Sequence, residues 1–430
     1  MKMAWVSLGT AAVLASFGSA VQAAETNIVQ AAESSAPHQP ESYMRVRSAE
    51  GGIRVMETAT RTFRPAAGPG PEIRLVGVTH IGDAAYYTAI QRALDSSSLV
   101  LFEGVGRPDF VTLSPQTDAE RETWNESALE YLAELYQWHQ ETQNAWPADM
   151  TALAAVVRTK RNREQSWVGL AKQDGWGRAW ELDLESKPAR IGSLGSDGAP
   201  GGDGTARDVW KSIEDSEDDS GIGDIQSSIA EALGLSYQLD AIHYDREHFR
   251  NSDMALGQIR SAMESAGGSG QEQQLMRMLE GAPELGPLLQ GLMRMVSSSP
   301  QLQALVRALM IESLAASESL LEQSANGAGP IGRLIKVLIA DRNQVVLQDL
   351  RRALEAPSGI TSVALFYGAG HMSDLESALV RDLGYRPAET EWHSAFSVRL
   401  ADTGLTEGQW EAMRNLLQTQ MRQATAAFPP

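Results

Sequence analysis

The stretch Gly-Val-Thr-His-Ile-Gly-Asp at residues 77–83 decides our interpretation of the fold, because its pattern returns at residues 368–374 as Gly-Ala-Gly-His-Met-Ser-Asp. In each block a glycine stands three residues before the histidine and an aspartate three residues after it. Each block also follows an apolar run of strand length and leads into a segment with helical periodicity. The two blocks therefore predict two strand–turn–helix units, one near each end of the chain.

The segments around the two blocks predict an α/β fold. Apolar runs at 72–78 and 98–102 flank a helical stretch at 83–94, and the order strand, helix, strand implies parallel strands. Near the other end, a strand at 361–367 precedes a helix at 374–383. We expect a mixed, largely parallel sheet flanked by helices, formed from the N- and C-terminal halves, with a large helical insertion between them.

Composition divides the 430-residue chain into six regions. These are a signal peptide (1–23), a flexible leader (24–50), the first half of the α/β core (51–116), a helical insertion (117–329), the second half of the core (330–400) and a C-terminal helix (401–430). Within the insertion, residues 192–223 are rich in glycine and acidic side chains, which predicts a solvated, disordered loop. The methionine-rich helices that follow it are more typical of ordinary core than of a substrate groove.

The charge and the N-terminal sequence limit the possible partners and locations. A formal net charge of −19 argues against nucleic acid, whose binding proteins neutralise phosphates with Lys and Arg. The apolar stretch from Trp5 to Ala20 and the small-residue pattern ending at Ala23 predict a secretory signal cleaved after Ala23. We therefore expect a periplasmic or secreted protein without stable membrane insertion after cleavage. With no cysteine in the chain, a metal would need His and carboxylate ligands.

Three candidate site residues stand where predicted strands end. His80 and His371 follow the strands at 72–78 and 361–367, and Glu103 directly follows the strand at 98–102. In parallel α/β sheets, ligands bind outside the carboxyl ends of the strands. Two histidines and a carboxylate can hold a divalent metal such as Mn, Co or Zn with open positions for water. Alternatively, Glu103 acts as a general base.

Arg342 is the fourth candidate, on a helix expected at about 331–354. A guanidinium near the histidines would stabilise a developing oxyanion or hold a carboxylate. Asp83 and Asp374, which end the two blocks, are expected at helix N-termini as caps, with orientation of the histidine rings as the alternative role. The charged cluster at 243–248 predicts a solvated helix face, and a place at the border of the pocket for Tyr244 or Asp253 is the alternative.

The order of these motifs resembles the TraB/PrgY/GumN family. The resemblance rests on four motifs: the first G-x-x-H block, Glu103 at a strand end, Arg342-Asn343 on a late helix and the G-x-G-H of the second block. The resemblance spans about 51–110 and 329–400, and more loosely 233–254. It implies the fold shared by Tiki proteases, erythromycin-esterase-like and ChaN-like proteins. It also implies a divalent-metal-dependent, metalloprotease-like site on His80, Glu103, Arg342 and His371.

Two functional classes follow from these residues. The first is an exported metal-dependent hydrolase, peptidase-like, acting on a peptide or small molecule. The alternative is a non-catalytic periplasmic protein that binds or sequesters a peptide, a haem-like ligand or a metal, and a scaffold with a decayed site is a third. The substrate, the metal and the oligomeric state are not readable from the sequence.

Overall fold

A computed structural model of the chain describes residues 40–104, 115, 117–160, 168, 171–213, 221–244, 246–254, 286–325, 336–355 and 359–426. The predicted signal peptide and most of the predicted leader lie outside the described residues. The acidic run at 214–219 also lies outside them, as does part of the methionine-rich stretch, including Met276 and Met278.

The described residues contain twelve strands and ten α-helices. The strands are β1 Met44–Ala49, β2 Ile53–Pro65, β3 Glu72–Val78, β4 Ile81–Gly82, β5 Leu99–Phe102, β6 Glu181–Asp183, β7 Arg190–Ser193, β8 Val209–Ser212, β9 Ser236–Tyr237, β10 Phe249–Asn251, β11 Ser362–Gly368 and β12 Tyr385–Arg399. The helices are α1 Ala84–Asp95, α2 Asp118–Gln143, α3 Met150–Lys160, α4 Gly221–Ala232, α5 Gln238–Ala241, α6 Gly286–Ser297, α7 Pro300–Ala325, α8 Arg342–Glu355, α9 Met372–Asp382 and α10 Glu407–Ala426.

The main sheet confirms the predicted fold class, a mixed and largely parallel sheet flanked by helices. Its order is β1-β2-β3-β11-β5-β10, and β12 also pairs with β2. The strand β11 runs parallel to both β3 and β5, and β10 runs parallel to β5. A strand from the C-terminal half thus lies between two strands from the N-terminal half, so neither half can form this sheet alone.

The sequence of β11 explains its central place. Residues 363–367 are Val, Ala, Leu, Phe and Tyr, and all five are fully buried. A parallel strand covered by helices on both faces needs such a continuous apolar run, whereas a strand with one wet face alternates. The helices α8 and α9 contact the elements at this part of the sheet, α8 through β5 and α9 through β3.

The antiparallel part of the sheet begins earlier than predicted. Strand β1 lies within residues 24–50, which we expected to be a flexible leader, and pairs with β2 from Met44 to Ala49. Arg61 of β2 connects this strand pair to helix α9 and to the residues before β1. Its guanidinium donates to a carboxylate oxygen of Glu376 on α9 at 2.7 Å and to the carbonyls of Glu41 and Ser42. Tyr43 also donates to Glu376, at 2.6 Å.

The insertion is not purely helical. It contains a separate antiparallel sheet, β6-β7-β8, that contacts α2. The predicted disordered loop at 192–223 is therefore wrong for its described part. Ser193 ends β7, a 3₁₀ turn spans Gly204–Ala206, and β8 follows at Val209. The loop is shaped by glycines in the left-handed region, such as Gly195 with φ of +68° and Gly202 with +87°.

Candidate functional site

Three parallel strands bring the predicted site residues to one edge of the sheet. His80 follows β3, Glu103 follows β5 and His371 follows β11, which lies between them. Gly368 marks the centre of the group. A Cβ atom built there would lie 3.3 Å from Glu103 Oε2, 3.8 Å from His80 Nε2 and 3.9 Å from His371 Cδ2. The backbone of Gly368, with φ of −50°, is open to any residue. A larger residue would instead be disfavoured by the crowding against Glu103.

Arg342 reaches the group around Gly368 from helix α8. It is the first residue of α8, directly after a π-helical turn at Lys336–Asp341. Its Nη2 donates to Glu103 Oε1 at 2.7 Å, and its Nε donates to Asp253 Oδ1 at 2.8 Å. The side chain of Arg342 is only 12 % exposed, and those of Glu103 and Asp253 are 6 % and 2 % exposed. The guanidinium thus bridges two buried carboxylates.

His371 is held on both sides of its ring. Its Nδ1 lies 2.8 Å from Asn343 Oδ1, while its Nε2 lies 3.4 Å from Arg342 Nη1 and 3.5 Å from Glu103 Oε1. His80 has a parallel contact, because its Nδ1 lies 2.9 Å from Gln238 Oε1. In both histidines the Nδ1 side faces a buried amide, so the Nε2 side faces the group around Gly368.

Opposing effects set the charge of Glu103. Burial acts to raise the pKa of its carboxyl, but the charge of Arg342, together with the two neighbouring histidines, outweighs burial, and the pKa lies well below its ordinary value of 4.5. For Arg342, burial acts to lower the pKa, and Glu103 and Asp253 reverse this, so its pKa is raised. Both groups are therefore ionised at neutral pH. An ionised carboxylate with so low a pKa is a weak base and stabilises positive charge instead.

The predicted metal ligands do not fit a metal ion in this arrangement. Glu103 already directs one oxygen to Arg342 and accepts the N–H of Gly368 on the other at 2.7 Å. A cation bound there would stand beside the guanidinium. Within the described residues, no group of three or more His, Asp or Glu could hold a metal ion. The prediction of a metalloprotease-like metal centre is therefore wrong. Dependence of an activity on Mn, Co or Zn stays a prediction for metal analysis to test.

The two aspartates of the repeated blocks take different places. Asp83 occupies the N-cap position of α1, but its side chain makes no capping hydrogen bond. Asp374 lies in the first turn of α9 and accepts a hydrogen bond from Asn343 Nδ2 at 2.8 Å. It therefore contributes to the orientation of His371 through Asn343, one step further away than predicted.

From the sequence, Gln238 was assigned no role, Asn343 only a place in the Arg342-Asn343 motif, and Asp253 only a place at the pocket border. Asp253 follows β10, the fourth parallel strand, so the strand-end argument applies to it as well. That strand has only three residues, which is too short to recognise by its pattern. Gln238 and Asn343 act through contacts between distant segments, and a single sequence carries no signal for these.

The chain is similar to one family model, described as type II secretion system (T2SS), protein G, over residues 113–212. This segment contains α2, α3 and the small sheet β6-β7-β8. It is 100 of the 430 residues, and it excludes all four predicted site residues. No curated protein and no solved structure matches the chain.

The comparison corrects the resemblance drawn from the motifs. The matching family is the secretion-system protein G and not TraB/PrgY/GumN, so the TraB-type, metalloprotease-like assignment was wrong. A secretion-system match agrees with a location in the cell envelope or on a secretion route. Among the described residues, no helix combines the length and the apolar character that a membrane span requires.

Proposed function

We propose that the group around Gly368 is the acid–base centre of a hydrolase that acts on peptide or related acyl bonds. One observation carries the proposal. The Nε2 atom of His371 lies within 3.5 Å of both an ionised carboxylate, Glu103, and a guanidinium, Arg342. A histidine beside a buried carboxylate is the usual arrangement for proton transfer at neutral pH.

The proposed reaction uses these residues in separate roles. His371 Nε2 takes a proton from a water molecule that attacks the acyl carbon, and the ring becomes imidazolium. Its two N–H groups then face Asn343 Oδ1 and Glu103, both placed to stabilise the positive charge. The proton passes on to the leaving group as the acyl bond breaks. His80 Nε2 is the second proton acceptor at the site and orients the water.

Arg342 supports the transition state in this proposal. Its Nε and Nη2 atoms are held by the two carboxylates, but Nη1 has only long contacts, 3.3 Å to the Leu338 carbonyl and 3.4 Å to His371 Nε2. These are the longest contacts of the guanidinium, so Nη1 is the donor that a developing oxyanion would most easily draw away from its present partners. Charge-assisted donors of this kind contribute most where water is excluded.

The cellular location that we propose rests on the predicted signal peptide. We propose that the protein works in the periplasm or outside the cell, after cleavage behind Ala23. The small-residue pattern before Ala24 and the secretion-system match support this. The N-terminal sequence of the protein recovered from its native location tests it, with Ala24 as the expected first residue. A chain that retains Met1 would contradict the cleavage.

A mixed peptide library with mass-spectrometric detection tests the activity. The native chain should release defined cleavage products, and His80→Asn and His371→Asn should release none at an unchanged Tm. The exposed His243, which lies outside the site, supplies the matched control His243→Asn, which should cleave like the native chain. Equal cleavage by His371→Asn and the native chain would refute the acid–base role.

A binding protein is the second candidate, and the charge of the site favours it. Glu103 and Asp253 together carry one negative charge more than Arg342 neutralises. A site of this charge suits a ligand with a positive group, such as a peptide amine. Co-purification of such a ligand, with no cleavage of any peptide in the library, would favour binding over hydrolysis.

A further inference from the structure

We propose that Asn343 is a positioning residue that fixes the neutral ring of His371 with its proton on Nδ1. The lone pair of Nε2 then points at the group around Gly368, ready to accept a proton. This inference rests on the proposed function for its purpose. The tautomer itself is a property of the resting protein and can be measured without a substrate.

The orientation of the Asn343 amide is decided by its partners. The Nδ2 atom lies 2.8 Å from Asp374 Oδ2 and 3.2 Å from the backbone carbonyl of His371. A carbonyl oxygen can only accept a hydrogen bond, so the amide nitrogen must face this side. The amide oxygen therefore faces His371 Nδ1, at 2.8 Å. Reversing the amide would set an oxygen against two acceptors in a residue that is fully buried.

The neighbours of the two ring nitrogens of His371 then decide which nitrogen carries the proton. The amide oxygen of Asn343 accepts, so His371 Nδ1 must donate and carry the proton. At Nε2 the neighbour at 3.4 Å is Arg342 Nη1, and a guanidinium has no acceptor. A neutral ring with its proton on Nδ1 satisfies both contacts, since Nε2 then accepts from Arg342.

Glu103 is the competitor for the proton. Its Oε1 lies 3.5 Å from His371 Nε2 and would favour a proton there. The contact is longer than the 2.8 Å between Nδ1 and Asn343 Oδ1, and Glu103 is already paired to Arg342 and to the N–H of Gly368. Removal of the Asn343 oxygen would leave Glu103 as the remaining acceptor for the ring. Asn343 therefore decides which nitrogen is basic.

His80 supplies a useful contrast within the same site. Its Nδ1 faces Gln238 Oε1, but the Gln238 amide nitrogen faces the hydroxyl of Tyr244 at 2.8 Å. A hydroxyl can donate or accept, so this amide is not fixed by its partner. The Asn343 amide beside His371 has only one possible orientation, because its Nδ2 atom faces a carbonyl oxygen and a carboxylate oxygen.

Nitrogen NMR of the histidine rings in the full chain tests the proposal, at a pH well above the ordinary histidine value of about 6.5. We expect His371 to show a protonated Nδ1 and an unprotonated Nε2. His139 is the internal reference, because its Nδ1 lies 2.8 Å from the carbonyl of Ala145 and must donate. A His371 ring with its proton on Nε2 in the native chain would overturn the proposal, whatever the variants do.

Two variants separate positioning from packing. In Asn343→Leu, the proton of His371 should move to Nε2, and kcat/KM should fall by about 10²-fold or more, the usual worth of a positioned general base. In the double variant Asn343→Asp, Asp374→Asn, an acceptor remains beside Nδ1 and the amide of the second substitution faces the new carboxylate, so the proton should stay on Nδ1. An unchanged tautomer in a folded Asn343→Leu protein would refute the role. Loss of the tautomer with full activity would instead count against the proposed function of His371.

Discussion

The two oxygens of Glu103 accept hydrogen bonds from two donors, the guanidinium of Arg342 and the N–H of Gly368. Its ionised form is stabilised in the folded chain, because its pKa lies well below the ordinary 4.5. A carboxylate with a lowered pKa stabilises the fold above its unfolded pKa, and this contribution is lost as the pH falls through the folded pKa. Glu103 thus links the site to the acid stability of the protein.

Substitution of Glu103 tests this link. Glu103→Gln keeps the shape but leaves the charge of Arg342 partly uncompensated, and loss of a buried partner costs about 3–5 kcal/mol. We expect the free energy of unfolding to be lower than in the native chain near neutral pH, with a difference that shrinks as the pH falls below 4.5. Urea unfolding across this pH range measures it. A difference that is independent of pH would contradict the linkage.

A substitution of Gly368 tests whether the space at the centre of the site is needed for activity. In Gly368→Ala, the new Cβ would meet Glu103 Oε2 at 3.3 Å and approach both histidines. We expect loss of the proposed activity, with about 1 kcal/mol or less of effect on stability from the added methyl at an allowed φ. Gly359→Ala is the matched control, because nothing lies within 4 Å of its Cβ position. Equal activity of the two variants would show that the space above Gly368 is not used.

At the residue scale, the sequence predicts positions better than roles. The strand-end argument places His80, Glu103 and His371 together, because parallel strands bring their carboxyl ends to one edge. It does not show that Glu103 is already engaged by Arg342 and Gly368, and this is why a metal centre was wrongly expected. The role of Asn343 depends on which atoms face which neighbours, and spacing along the chain does not carry that information.

Among the elements, β2 and α9 are joined by the buried pair of Arg61 and Glu376. Glu376→Ala should lower the free energy of unfolding by about 3–5 kcal/mol, because it leaves the guanidinium buried without its carboxylate. Glu389→Ala is the matched control. Its partner Arg64 is half exposed, and such surface pairs contribute about 0–1 kcal/mol. Similar losses in the two variants would contradict the importance of the buried pair.

Element prediction follows the strength of each pattern. The strand at 361–367 is predicted because a buried parallel strand is continuously apolar. The C-terminal helix begins at a capping box formed by Thr406 and Gln409. The strands β6, β7 and β8 were missed because they have three or four residues each and lie among glycines. Their pairing, rather than their composition, makes them strands.

At the scale of the whole molecule, the described residues form three sheets: the main sheet with the site, the two-stranded sheet β4-β9, and the small sheet β6-β7-β8 in the segment similar to protein G. The small sheet and α2 have a polar core of their own. Asn125 accepts from the N–H of Gly175 at 2.6 Å and donates to Ser193 Oγ, which donates to Asp174 at 2.6 Å. The order of strands along the chain predicted the main sheet, but nothing in the sequence alone showed that the insertion would form a sheet of its own.

Asn125→Ala tests whether the small sheet and the main sheet open separately. The substitution leaves the buried N–H of Gly175 without its acceptor, which costs about 1–3 kcal/mol locally. We expect faster hydrogen exchange in β6, β7 and β8, with unchanged exchange in β3, β5 and β11. Glu126→Ala, at an exposed neighbouring position on α2, should change neither. Equal loss of protection in both sheets would show that the molecule opens as one unit.

The central claim is that residues from both ends of the chain form one proton-transfer site. It is tested most directly by kcat/KM for His371→Asn relative to the native chain, on a peptide that the native chain cleaves. We predict a loss of about 10²–10⁴-fold, the usual contribution of a general base, at an unchanged Tm. A kcat/KM within about twofold of the native value in the folded variant, well under that contribution, would contradict the claim.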